Sequence, residues 1–201
     1  MSLGKQAKVL SSEQINQALA LLSTGSITKH SARDKVIMLL SLHGLRACEI
    51  ADLELSMIKG PDGSISDAIA LQDKASKGSS GRIIPMSQTL RDAIAGYLAI
   101  RKHGDSSFLI TTQRANKFSA NAVAVWFKRF YTKLGLQGCS SHSGRRTFLT
   151  NAARRISLAG GSIRDVMALA GHQHLSTTQR YVEADSEAQR KVVSMIFAGV
   201  E

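Results

Sequence analysis

Several residues in this 201-residue chain are of types that together could bind a phosphate and activate a nucleophile. Arg46 follows Gly44 at the end of an apolar run, and Glu49 stands three residues on. At that spacing the acid can orient the guanidinium toward a ligand, or merely pair with it on a helix surface. His142 and Arg145 are also three apart. At a helix start they share one face with the first-turn N–H groups, where a phosphate would sit well. Lys77 lies in the stretch Lys74-Ala75-Ser76-Lys77-Gly78-Ser79-Ser80-Gly81, and further on come Gly171-His172 and Tyr181. A phenol with a pKa near 10 is a poor nucleophile unless cations stabilise its anion or a base takes its proton, and this set offers both. Taken singly, His142 could be a capping or core histidine and Tyr181 a packing residue. His174 makes an H-x-H pair with His172, but without further ligands it predicts no metal site.

The elements that would hold these groups follow from local pattern. Ser11 to Gln14 reads as a capping box for a helix with Ile15, Ala18, Leu19 and Leu22 on one face, ended by Thr24-Gly25-Ser26. A second helix is expected from Thr28 to His43, with Val36, Ile37, Leu39 and Leu40 toward a core and Gly44 as its stop. A short helix from Cys48 to Leu53 follows. Gly60 to Ser64 reads as a turn, and Ala68–Leu71 and Arg82–Pro85 as strands of a hairpin whose mobile, cationic tip holds Lys74 and Lys77. Ser87 and Ser119 should cap helices to about Arg101 and Lys133, the latter carrying Val123, Val125, Trp126, Phe127 and Phe130. From His142 onward the pattern is helical, broken at Gly160-Gly161 and Gly171. Ser176 to Gln179 fits a second capping box, which would put Tyr181 in the first turns of a last helix. The fold class is therefore mainly α with a small antiparallel β-sheet, an α+β arrangement.

Composition limits the partner. Lys plus Arg number 26 against 15 Asp plus Glu, a net charge of +11, with 43% hydrophobic and 20% charged residues. That composition supports a packed core rather than a disordered basic tail, and the excess charge points to nucleic acid, an anionic membrane surface or acidic proteins. Between His142 and Tyr181 the cations are all Arg, which favours phosphate because a guanidinium can grip two oxygens. No apolar run approaches the roughly 18 residues of a membrane span, and no secretory signal opens the chain, so a soluble intracellular protein is expected. Cys48 and Cys139 suggest neither a disulfide framework nor a thiolate metal site.

Five pieces occur in an order that resembles the tyrosine recombinases, also called the phage integrase family. They are G-L-R-A-C-E (Gly44 to Glu49), K-G-S-S-G-R-I-I-P (Lys77 to Pro85), H-S-G-R (His142 to Arg145), L-A-G-H (Leu169 to His172) and T-T-Q-R-Y (Thr177 to Tyr181). The resemblance implies the catalytic-domain fold of that family and a site-specific recombinase that cuts and rejoins DNA through a 3′-phosphotyrosine, with no cofactor, ATP or metal. It assigns Arg46, Arg145 and His172 to the non-bridging oxygens of the scissile phosphate and Tyr181 to nucleophilic attack. It makes His142 the second-position histidine that takes the Tyr181 proton, Lys77 the hairpin lysine that protonates the leaving 5′ oxygen, and Glu49 the supporting acid. Arg146, Arg82, Lys74 and Arg180 are expected to contact DNA. Arg146 stands where the family often has a second histidine. The span from Arg145 to His172 is longer than the family's, as though one turn were inserted near Arg154 to Ala159.

The same resemblance divides the chain into an arm (residues 1–10), the catalytic domain (11–185) and a C-terminal helix or tail (186–201) that packs in cis or on a neighbouring protomer. No separate core-binding domain precedes the catalytic one, as expected of either a fragment or a naturally short member. The implied partners are double-stranded DNA and other copies of the chain, a homo-tetramer on paired sites and a monomer or weak oligomer when free. No membrane is involved, and the location is the cytoplasm, at the nucleoid. Two other functions share these residues: an accessory DNA-binding protein or inactive fragment keeping the fold, and a type IB topoisomerase.

Overall fold

The computed structural model describes residues 7–75, 81–102, 105–181 and 193–195. The capping box at Ser11 forms, with Ser11 accepting the Gln14 N–H and Gln14 accepting the Ser11 N–H. It opens α1, Ser12–Thr24, which ends at Gly25 in the left-handed region. α2 runs Ser31–Leu42 and so starts later than expected from the apolar pattern. Thr28 donates its hydroxyl to buried Asp34 and accepts the His30 N–H, and these local bonds hold the chain out of the helix. Gly44, at φ 89°, turns the chain into α3, Ala47–Asp52.

β1, Ala68–Leu71, and β2, Arg82–Pro85, pair antiparallel, with Ala68 opposite Pro85 and Leu71 opposite Arg82. Ser87 and Ser119 accept the N–H groups of Leu90 and Ala122 and cap α4, Gln88–Ile100, and α5, Ala120–Lys133. The chain continues through α6, Ser143–Arg155, α7, Ile163–Ala170, and α8, Leu175–Gln179. Among the described residues the architecture is mainly helical with one two-stranded antiparallel sheet.

Two apolar cores result. The larger gathers α1 to α5 and the hairpin around Leu22, Ile37, Ile50, Ile84, Phe127 and Tyr131. α5 turns Val123, Phe127 and Phe130 inward at helical spacing, whereas Val125, expected to join them, is 37% exposed. The smaller core is Leu149, Val166 and Ala170 from α6 and α7, with Phe148, Ile156 and Tyr181 packed against it. A fully buried large aliphatic side chain contributes roughly 1.5–3 kcal/mol, so the small core adds far less to stability than the large one.

α6 leads into a 3₁₀ turn at Ile156–Ala159, closed by Gly160 at φ 76°. This turn lies where an extra turn was expected, near Arg154 to Ala159. α2 and α6 approach closely at Gly144, where a Cβ would strike the Ser41 hydroxyl. Ser41 Oγ is buried and has no hydrogen-bond partner among the described residues. Of the tail, residues 193–195 are helical and exposed, while Val192, Ile196 and Phe197 lie outside the described residues.

Candidate active site

Glu49 organises one side of the site. It sits in the first turn of α3 with a fully buried side chain and accepts the Arg46 backbone N–H (2.8 Å) and Arg46 Nη1 (2.6 Å). Arg82, from β2, grips both Glu49 oxygens at 3.0 and 2.9 Å. Burial alone would raise the Glu49 carboxyl, but the bonds and charge of Arg82 and then Arg46 hold it below the ordinary carboxylate range. The helix-surface pairing open to Arg46 and Glu49 from sequence is thereby excluded, since the acid has no surface.

Arg82 also donates Nε to the Leu169 carbonyl at 2.8 Å and is 5% exposed. It was expected to contact DNA; in the structure it ties β2 to the end of α7 and gives the buried Glu49 a second counter-charge. Lys74, likewise expected on DNA, pairs with Glu54 at 2.8 Å and is not among the residues lining the cleft described below. Lys77 falls outside the described residues.

Arg145 occupies the first turn of α6 and is 5% exposed. Nη1 donates to the Gly44 carbonyl, while Nη2 donates to Ala170 O at 2.6 Å and to His172 Nε2 at 3.1 Å. The first of these bonds requires Gly44 in its left-handed turn, where a Cβ would lie 2.7 Å from the Phe148 ring. Burial, then the charge of Arg46, lowers the guanidinium to about 10, so it remains a cation at neutral pH. His172 Nδ1 lies 2.9 Å from Thr178 Oγ1. Burial and then the charges of Arg145, Arg46 and Arg82 push the ring down to about 4, leaving it neutral at pH 7.

Tyr181 stands just past the end of α8, not in its first turns. The expected capping box at Ser176 does not form, because the helix already begins at Leu175 with His174 as its cap residue. The Tyr181 N–H donates to the Thr178 carbonyl at 3.0 Å, and its ring stacks on His172 with centroids 6.0 Å apart and planes 18° from parallel. A cleft of about 280 Å³ is lined by Arg46, His142, Arg145, His172 and Tyr181, with Arg146 and Arg180 beside them. His142, the residue before α6, is exposed there.

No carboxylate lines this cleft among the described residues. Nor, among them, do three His, Cys, Asp or Glu gather as for a metal, and no helix is long and apolar enough to cross a membrane. Two further residues were given no role from the sequence, although the first lies inside the T-T-Q-R-Y motif. Thr178 is an uncharged threonine whose complete burial comes from packing. Ala7 reaches the cleft because Leu10, 3% exposed, donates its N–H to Thr147 Oγ1 on α6 at 2.8 Å.

The chain belongs to the phage integrase family, which its sequence matches over residues 8–188. Tyrosine recombinase XerA of Pyrococcus horikoshii is 31% identical over 164 residues, covering 80% of this chain and 54% of that protein. Tyrosine recombinase XerC of Staphylococcus haemolyticus is 32% identical over 170 residues, covering 82% and 54%. The chain thus spans about half the length of these relatives.

Among solved structures, that of XerA recombinase superposes with a TM-score of 0.72 at 23% identity, covering 93% of this chain and 64% of the other. The Tn1549 transposon integrase in complex with circular intermediate DNA gives 0.73 at 21% identity, covering 97% and 68%. At these identities the likeness is one of fold.

Proposed function

We propose that this chain is the catalytic part of a site-specific DNA recombinase, cutting and rejoining strands through a covalent 3′-phosphotyrosine. The observation that carries the reading is the convergence of Arg46, Arg145, His142 and His172 on one cleft with Tyr181 in its wall. Attack by the Tyr181 oxygen forms an O–P bond, breaks the P–O5′ bond and builds charge on the non-bridging oxygens, which the two guanidiniums stabilise. The phenol proton passes to His142, and the leaving 5′ oxygen takes a proton from Lys77. The reverse attack by another strand's 5′ hydroxyl reseals the backbone, so the bond energy is kept without ATP. The two fixed guanidiniums supply the charge that a metal ion would otherwise bring.

The partner is duplex DNA, supported by the +11 charge and by the solved integrase–DNA complexes that share this fold. Arg146 and Arg180, on the cleft, contact its backbone. The working assembly is a tetramer on paired sites, built from monomers or weak oligomers, and the location is the cytoplasm, at the nucleoid.

The test uses a duplex recovered from a random library by binding, nicked near the cut so that the short strand escapes. A covalent protein–DNA band that disappears in Tyr181→Phe is expected. Binding without any adduct would instead make the chain an accessory DNA-binding protein, and relaxation of supercoils without strand exchange would mark a topoisomerase.

A further inference from the structure

Thr178 is fully buried, yet its side chain and its carbonyl both serve the cleft. Its hydroxyl oxygen lies 2.9 Å from His172 Nδ1, and its carbonyl accepts the Tyr181 N–H at 3.0 Å. On the other edge of the imidazole, Arg145 Nη2 reaches Nε2 at 3.1 Å. A guanidinium has no lone pair to offer, so Nε2 must accept. The proton of the neutral ring therefore sits on Nδ1, and Thr178 Oγ1 accepts it. Since the Tyr181 ring stacks on this imidazole, the tilt that Thr178 imposes on His172 also sets the surface against which the phenol rests.

Building on the recombinase reading, we propose that Thr178 is a positioning residue for strand cleavage. Its hydroxyl holds the Nδ1 edge of His172 and so its tilt in either tautomer, and its carbonyl fixes the turn that carries Tyr181. A threonine suits this place for a chemical reason. Valine has the same shape but no acceptor, and a carboxylate would lock the Nδ1–H form and favour an imidazolium beside Arg145. A hydroxyl accepts from Nδ1–H in the free protein and, by rotating, can donate to Nδ1 once a phosphate oxygen draws Arg145 Nη2 away. One proton then leaves Nδ1 and another joins Nε2, both exchanged with water in the open cleft, and Nε2–H can donate to the phosphate. The resting ring is thus poised to accept at Nε2 and becomes a donor only when substrate arrives.

The test begins with ¹⁵N NMR of the full chain with labelled histidines, His172 being assigned by loss of its signals in His172→Gln. The wild type should show a protonated Nδ1 and a bare Nε2. Thr178→Ser should keep that pattern, and Thr178→Val should lose the hydrogen-bonded shift of Nδ1–H. On the selected nicked duplex, Thr178→Val should slow adduct formation roughly tenfold or more at unchanged DNA affinity, the order expected for losing the partner that fixes a functional histidine. Thr178→Ser should restore the rate.

A wild-type ring protonated at Nε2 overturns the proposal, as does a Val variant that cleaves at the wild-type rate or a Ser variant as slow as Val. If the Val variant does not fold, the wild-type spectrum and the Ser arm still decide. Failure of the recombinase reading looks different, because wild type would then form no adduct with any duplex while the tautomer of His172 is still measured.

Discussion

At the scale of single residues, one buried carboxylate governs two guanidiniums. Removing Glu49 would leave Arg82, 5% exposed, without its counter-charge, while Arg46, 24% exposed, can turn to water. Glu49→Ala is therefore expected to lower stability by about 3–5 kcal/mol in chemical denaturation. The same residues set the response to acid. The His172 pKa is about 4 in the fold against an ordinary 6.5. Between those values the unfolded chain binds a proton that the folded chain refuses, so stability falls as pH drops through that window. Denaturation midpoints of His172→Gln should vary less over that range. Glu49, held below its ordinary 4.5, contributes fully above that value. Its contribution is lost only at lower pH, as the carboxylate protonates in the fold.

At the scale of elements, α2 and α6 come close at Gly144, next to the Arg145 that lines the cleft. A methyl group on Gly144 would collide with the Ser41 hydroxyl and with Ser41 Cβ at 2.9 Å, forcing α6 off α2 and drawing Arg145 away from the Gly44 carbonyl. Gly144→Ala should destabilise by about 1–3 kcal/mol in denaturant and should slow adduct formation as well. Ser41→Ala should be close to neutral, because its hydroxyl has no partner among the described residues to lose.

What the sequence told about these elements depended on range. Ser11, Ser87 and Ser119 cap helices through bonds to residues three positions on, so local pattern sufficed. The hairpin strands were legible for the same reason. The ties of Arg82 were not legible because its partners, Glu49 and Leu169, are distant in sequence. The start of α8 was misread because a matching Ser-x-x-Gln pattern goes unused when the helix begins two residues earlier. The burial of Thr178 depends on α8 packing against α7, which no periodicity in five residues can reveal.

At the scale of the whole molecule, the charge divides into two populations. The Arg82 side chain is buried against Glu49 and Arg145 is buried in the cleft wall, whereas Arg180 is exposed at the cleft. Each phosphate contact contributes about −0.9 to the slope of log affinity against log salt. Arg180→Gln should shallow that slope by about one, measured by fluorescence titration across salt concentrations. Arg82→Gln should leave the slope unchanged and lower the denaturation midpoint.

The division into two cores has a thermal consequence. Tyr181 and Phe148 rest on the small Leu149–Val166–Ala170 cluster, while Arg46 and Glu49 are anchored in the large one. The part of a protein with the fewest buried contacts opens first. On warming, the segment that carries Tyr181, Arg145 and His172 should therefore part from Arg46 while most of the helices persist. Adduct formation should fail at a lower temperature than the main circular-dichroism transition, and hydrogen exchange should show α6 to α8 opening before α2 and α5. Cooling should bring the activity back without a folding lag, so that mild heat acts on this chain as a reversible off-switch.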